Sequence, residues 1–291
     1  MSNLMNDLIK KIDENLDKFL PQEYPDNLFK SMRYTVLLEG KRLRPILCLE
    51  FCRIFGGNIE NAMPSACAIE MLHVQTLIHD DLPCMDNDDF RRGKPSNHKV
   101  FGEATATLAG DALLTYAPQV ILRNTKNISS EVKLAILDDF FTFGGARGVI
   151  AGQVIDIESE GNNSYHTEQN LEFIHKHKTA DLFRLAVRTG ARIANADKIS
   201  FEKADEFARN FGLAFQIADD ILDVTSNFSE MGKTLGKDEL EGKLTYVSIY
   251  GLDDAKCKLL AMLEKCDIMI SEFNSTILEK ILEDIRKRVN L

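Results

Sequence analysis

The stretch "IHDDLPCMDNDDFRRG", residues 78–93, crowds Asp80, Asp81, Asp86, Asp88 and Asp89 together and sets Arg91 and Arg92 directly after them. Carboxylates this close repel one another, and without a counter-charge some must take up protons or stay in water. A divalent cation resolves the repulsion. Carboxylate oxygens are hard ligands, and no His or Cys stands among them at metal-ligand spacing, so the set suits Mg²⁺ far better than zinc. An EF-hand is excluded, because "DNDDFRRGKPSN" lacks both the Gly at its sixth position and the closing Glu. Mg²⁺ commonly keeps waters and binds a substrate phosphate as well. The chemistry to expect is therefore diphosphate binding between metal ions and basic side chains.

A second acidic cluster supports this. In "FQIADDILDV" Asp219, Asp220 and Asp223 interrupt an otherwise apolar helix. Asp219 and Asp223 are four residues apart and Asp220 and Asp223 three apart, so the carboxylates share one face. One such cluster alone is ordinarily a solvated stripe. Two clusters, each following an apolar turn, are not.

Basic residues flank both clusters. "GKRLRP" places Lys41 and Arg44 near a helix start, where free backbone N–H groups and the helix dipole favour an anion. "GKTLGKD" and "EGKL" add Lys233, Lys237 and Lys243 after the second cluster. The "GKT" is not a P-loop, because Asn227 stands where the earlier Gly is required. Any one of these lysines is ordinarily a solvated surface residue; their order around two acidic motifs is the informative part.

The elements that must position these groups read as helices. "MSNLMNDLIKKIDENLDKF" is amphipathic, "PQEYPDN" is a turn, and "NLFKSMRYTVLLEG" predicts a helix ending near Gly40. "KRLRPILCLEFCRIFGG" starts another, and "SACAIEMLHVQTLIHDD" carries helical apolar spacing up to Pro83, which ends or bends it and sends the chain into a loop able to return Asp86. Further helices are predicted over about 102–124, 130–158, 167–195, 200–226 and 252–289. "ESEGNNSYHTEQN" and "NFSEMGKTLGKDELEGK" are the long loops. With Gly 17 and Pro 7 in 291 residues, no fixed repeat and no compositional break, the expectation is one all-α domain over residues 1–291.

The formal charge of -10 works against binding nucleic acid or anionic lipid, so an anionic ligand must be held locally. No apolar run reaches the roughly 20 residues that span a bilayer, and the acids in the first 19 residues are unlike a leader peptide. A cytoplasmic protein is expected. Six cysteines (Cys48, Cys52, Cys67, Cys84, Cys257, Cys266) form no CxxC pair and read as reduced core residues.

"GKRLRP", "HDDLPCMDNDDFRRG", "GQVID", "HKHKTADLF" and "FQIADDILD" with "GKTLGKD" stand in this order over about residues 28 to 250, and in this the chain resembles the trans-isoprenyl diphosphate synthases, the polyprenyl synthetases. The first motif, DDxxxxD with Pro83 and Cys84 as the extra pair, is similar to bacterial farnesyl and plant-type geranylgeranyl enzymes and differs from the DDxxD of animal and fungal farnesyl synthases. The resemblance implies a helical bundle with a central active-site cavity, and a homodimer. It implies that Asp80, Asp81 and Asp86, with Asp219, Asp220 and Asp223, bind several Mg²⁺ ions that bridge the allylic diphosphate. Arg91, Lys178 and Lys233 would hold that diphosphate, while Lys41, Arg44, His73 and Arg92 would hold isopentenyl diphosphate. Thr179 and Gln216 would face the reacting carbons; Lys243, Gln153 and Asp156 are further assignments.

Gln75 and Thr76, roughly 6 to 8 Å before Asp80 along the helix axis, resemble the cavity floor that stops a growing isoprenoid. Bacterial farnesyl synthases usually carry an aromatic residue at the position of Gln75. The expectation is nonetheless a C15 product, farnesyl diphosphate, with the C20 geranylgeranyl diphosphate as the alternative. Other classes fit less well. An HD-type phosphohydrolase needs a His before His73 and leaves Asp219, Asp220 and Asp223 unexplained; a terpene cyclase normally mixes Asn, Ser and Glu in its second motif; a non-catalytic helical subunit typically loses acidic-motif residues, and none is missing.

Overall fold

In the computed structural model, which describes residues 3–225 and 242–291, the chain runs as a succession of helices: α1 (Asn3–Phe19), α2 (Asp26–Val36), α3 (Leu43–Ile54) and α4 (Ile59–Asp80). A short hairpin pairs Phe90 with Pro95 and Arg91 with Lys94. It leads to α5 (Asn97–Phe101), α6 (Glu103–Asn124), α7 (Ser130–Gly144), α8 (Val149–Ser159) and α9 (Glu168–Ile174). A π-helical turn (His175–Ala180) joins α9 to α10 (Asp181–Ile193), and α11 (Lys198–Thr225) follows. After the segment outside the described residues come α12 (Tyr246–Tyr250), α13 (Leu252–Ser271) and α14 (Thr276–Arg288).

Every residue from Ala62 to Leu72 of α4 is buried, which a helix with one polar face cannot be. The helix is accordingly surrounded, with α1, α3, α6 and α10 packed on it. Its start is defined by Asn58, whose side chain accepts from the Glu60 N–H at 2.9 Å. On the other side α11 packs on α10, α13 and the π-turn. Phenylalanines join these layers: Phe51 of α3 meets Phe207 of α11 at 5.5 Å, and Phe183 of α10 meets Phe211 and Phe215 at 5.0 and 5.1 Å between centroids. The buried apolar residues form one continuous cluster from Met5 to Val289. No helix among the described residues is long and apolar enough to cross a membrane.

The all-α expectation holds, and the departures have local causes. The helix predicted over 130–158 breaks between α7 and α8, where Gly144, Gly145 and Gly148 remove helix propensity. The one over 252–289 breaks at Asn274, with φ of 47°, after which Ser275 caps α14 by accepting from the Leu278 N–H at 3.1 Å. The one over 167–195 is interrupted by the π-turn. Helix α2 ends at Val36, short of Gly40. Four cysteines are buried as expected, but Cys84 and Cys257 are exposed: one lies in the loop after α4 and the other on the outer face of α13.

Candidate active site

Helix α4 ends at Asp80, and the Pro83 loop closes on itself. The Asp86 N–H donates to the Asp80 carbonyl oxygen at 2.9 Å, and the Asn87 N–H to that of Leu82 at 3.1 Å. The first bond returns Asp86 to Asp80. The hairpin then brings Arg91 back onto buried Asp81: Nε donates to Oδ1 at 2.9 Å, Nη2 reaches the same oxygen, and Nη2 lies 3.2 Å from Asp88.

Opposite, α11 presents the second cluster. Asp219, Asp220 and Asp223 line the same cavity as Asp80 and Asp86, a space of about 240 Å³. The three do not play equal parts. Asp220 is engaged by protein groups on both oxygens: Gln216 Nε2 donates to Oδ1 at 2.8 Å, the Tyr246 N–H donates to Oδ2 at 2.8 Å, and His175 Nε2 lies 3.4 Å from Oδ2. Both oxygens of Asp223, and Oδ2 of Asp81, are buried with no hydrogen-bond partner. Orphaned buried carboxylate oxygens are costly, and a bound cation would satisfy them. Asp219 faces Arg288 of α14 at 3.5 Å.

Basic groups meet these acids inside the cavity. Lys178 pairs with Asp156. Lys243 donates to Asp86 at 3.1 Å and lies 3.7 Å from Glu160. Burial opposes the charge on Lys178, but Asp156, Asp80 and Asp86 outweigh it and raise its pKa. Burial pushes Asp80 up to about 7 and Asp81 up to about 6, the latter despite Arg91. At Asp86 burial is outweighed by Lys178 and Lys243, and its pKa is lowered. Among the described residues no three such ligands converge on a single point. The donors fit Mg²⁺ held through one or two carboxylates plus waters and a phosphate, rather than a closed protein cage.

A larger cavity of about 680 Å³ continues inward and shares Leu77, Asp80, Lys178, Gln216 and Asp219 with the first. Its exposed surface is mainly apolar, with Leu114, Val149, Val154, Leu182 and Phe215 on it, and Gln75 and Thr76 line it as well. Thr179 donates to Gln216 Oε1 at 2.5 Å, so the two residues expected at the reacting carbons both line this cavity and are hydrogen-bonded to each other. The π-turn presents Lys178 and Thr179 together. Gly152 of α8 allows that approach, because a Cβ there would fall 2.3 Å from the Lys178 backbone nitrogen. Gln153 also lines this space, with its Nε2 buried and unpartnered.

The four candidates for the second diphosphate are less closely gathered. Arg44 and His73 line the larger cavity. The Arg44 guanidinium lies over the Phe183 ring at 4.4 Å with its Nε unpartnered, and burial lowers its pKa to about 10. Burial, then Arg44 and Arg92, hold His73 well below its ordinary value and keep it neutral. Arg92 donates to Glu70 at 3.3 Å and to the Leu38 carbonyl at 3.4 Å. Lys41 lines a neighbouring groove with Phe215, Asp284 and Arg288. The expected anion seat at this helix start is modified by Arg42, in the left-handed region with φ of 49°, after which α3 begins at Leu43. Lys233 and Lys237 lie outside the described residues.

Two participants had no role assigned from sequence. Arg42 is fully buried and donates to Glu70 at 2.7 Å, Asp13 at 2.7 Å and the carbonyls of Val36 and Leu38. Nothing in "GKRLRP" separates it from its basic neighbours. His175 lines the smaller cavity, stacks on Tyr246 at 5.1 Å, and is lowered by burial to about 3. Its only sequence signal is its place in "HKHKTADLF".

A family model described as polyprenyl synthetase matches residues 25–280. A chloroplastic geranylgeranyl pyrophosphate synthase from Catharanthus roseus is 51% identical over 232 residues, covering 80% of this chain. The match spans 65% of that relative's length. An FPP/GFPP synthase structure from Zymomonas mobilis superposes with TM-score 0.82 at 32% identity, covering 98% of this chain and 95% of the other. A Helicobacter pylori geranyltransferase, solved with magnesium and isoprenyl diphosphate, gives TM-score 0.82 at 29% identity, covering 100% and 97%.

Proposed function

The chain belongs to the polyprenyl synthetase family, and from that premise we propose that it is a trans-prenyltransferase condensing isopentenyl diphosphate with an allylic diphosphate. The observation that carries the reading is the single polar cavity lined by both aspartate clusters, Arg91, Lys178 and Lys243, opening inward to an apolar one.

The barrier in such a reaction is breaking an allylic C–O bond, which leaves a carbocation and a diphosphate. Mg²⁺ bound by Asp80, Asp81 and Asp86 with Asp219 and Asp223 would supply Lewis-acid charge to that leaving group. Lys178 and Arg91 hold the same diphosphate by charge-assisted hydrogen bonds, and Lys243 adds positive charge beside Asp86. Lys233 has the expected role of a further donor. Asp220 acts differently in this account, because its oxygens already hold Gln216 and the start of α12 in place. Arg44, His73, Arg92 and Lys41 take the diphosphate of isopentenyl diphosphate, whose double bond attacks the cation before a proton is lost. The Thr179 and Gln216 dipoles and the apolar walls protect a cation that water would destroy. No protein nucleophile is needed.

For product length we favour C20 over the C15 expected from sequence. The floor position carries Gln75, not an aromatic ring, and a 51% identical relative is named for the geranylgeranyl product. The C15 reading is favoured by the Zymomonas mobilis neighbour, named for FPP as well as GFPP. Incubation with isopentenyl diphosphate, Mg²⁺ and each of the C5, C10 and C15 allylic diphosphates, then chromatography, decides between them. Efficient extension of the C15 primer to C20 is expected. Products stopping at C15 would reverse the choice, and no chain extension with any primer would refute the prenyltransferase reading.

A further inference from the structure

One residue lining the larger cavity, Gln75, is a tethered polar side chain. Gln75 is 8% exposed, and its Nε2 lies 3.0 Å from Nδ1 of His79, four residues on along α4. The other ring nitrogen, His79 Nε2, lies 3.1 Å from the Thr107 carbonyl oxygen on α6. A carbonyl has no proton to give, so in the neutral ring Nε2 carries the hydrogen and Nδ1 offers a lone pair. Gln75 must then present its NH₂ group to the ring. Its amide is oriented as well as anchored.

The ring reaches Thr107 because α6 has no side chain at Gly110. A Cβ there would fall 2.1 Å from His79 Nε2 and 2.4 Å from Cδ2, far inside contact distance. Glycine inside a helix is less favourable than alanine. The notch it leaves for the imidazole is a specific reason for its presence.

We propose that His79, seated in the Gly110 notch, sets product length by holding the Gln75 amide along α4 and out of the path of the growing hydrocarbon chain. This rests on the reading of the cavity as that chain's channel. Released from His79, the Gln75 side chain is free to swing across the channel and close it earlier.

Two variants break the tether by different routes. His79→Phe keeps an aromatic ring at this position but removes both hydrogen bonds. Gly110→Ala evicts the ring while favouring the helix. In each, chromatography of products made from isopentenyl diphosphate and the C5 primer should show the major product one five-carbon unit shorter than that of the unmodified protein. Adding Gln75→Ala to either variant should restore the original length or exceed it. An unchanged product in His79→Phe would overturn the proposal. A short product that persists after Gln75→Ala would also overturn it, since the stop would then not be the amide. Should Gly110→Ala not fold, His79→Phe alone and with Gln75→Ala carries the same test. If the unmodified protein condenses nothing, the prenyltransferase reading fails instead, so the two failures are distinguishable.

Discussion

Asp219→Ala and Asp80→Ala should each lower turnover by about 10²–10³-fold or more while circular dichroism shows an unchanged helical fold. Asp80 ends α4 and Asp219 stands on α11, yet both line the same two cavities. In the proposed reaction neither touches the carbon skeleton. Their contribution is to the charge that develops on the departing diphosphate, so its loss appears in turnover. The fold should tolerate the change, because burial already disfavours the charged form of Asp80 and pushes its pKa up to about 7. Near-normal turnover in either variant would contradict a metal site shared by the two clusters.

Glu70→Leu should lower the unfolding free energy by about 3–5 kcal/mol, the range for removing one partner of a buried ion pair. Glu70 Oε1 accepts from Arg42 at 2.7 Å and from Arg92 at 3.3 Å, and Arg42 is fully buried. Leucine leaves Arg42 with Asp13 and two carbonyls, and leaves Arg92 with the Leu38 carbonyl and no carboxylate partner. Burial raises the pKa of Glu70, but Arg92 and Arg42 outweigh it and hold the carboxyl below its ordinary value. A group lowered in this way stabilises the fold fully above its unfolded value of 4.5, and the stabilisation is lost as pH falls through the lower folded value. Urea denaturation of the two proteins at neutral pH measures the difference. A change below about 1 kcal/mol would show that the arginines find other partners.

The helical class and both acidic clusters were legible in the sequence because each depends on local spacing, whereas their common cavity was expected only from the family resemblance. Residues three and four apart share a helix face whatever surrounds them. What tertiary contacts decide was not legible. Asp219, Asp220 and Asp223 look equivalent in "DDILD", but only the arrival of Tyr246 and His175 commits Asp220 to protein partners. Lys41, Arg42 and Arg44 look alike in "GKRLRP", but the left-handed turn at Arg42 sends one side chain into the core and leaves its neighbours near ligand spaces. The π-turn carries no propensity signal of its own, so a continuous helix was the natural expectation over 167–195. Gly110 reads as a weak helix residue until the His79 ring is found against it.

The account stands most directly on metal ions shared through one diphosphate. A crystal structure with Mg²⁺ and an unreactive thiolo analogue of an allylic diphosphate measures that. The expected result is metal density between Asp80, Asp81 or Asp86 and the diphosphate on one side, and between Asp219 or Asp223 and the same diphosphate on the other. The Asp220 side chain should keep its bonds to Gln216 and the Tyr246 N–H. A diphosphate bound away from this cavity, or metal on one cluster with the other left in its present ion pairs, would contradict the account.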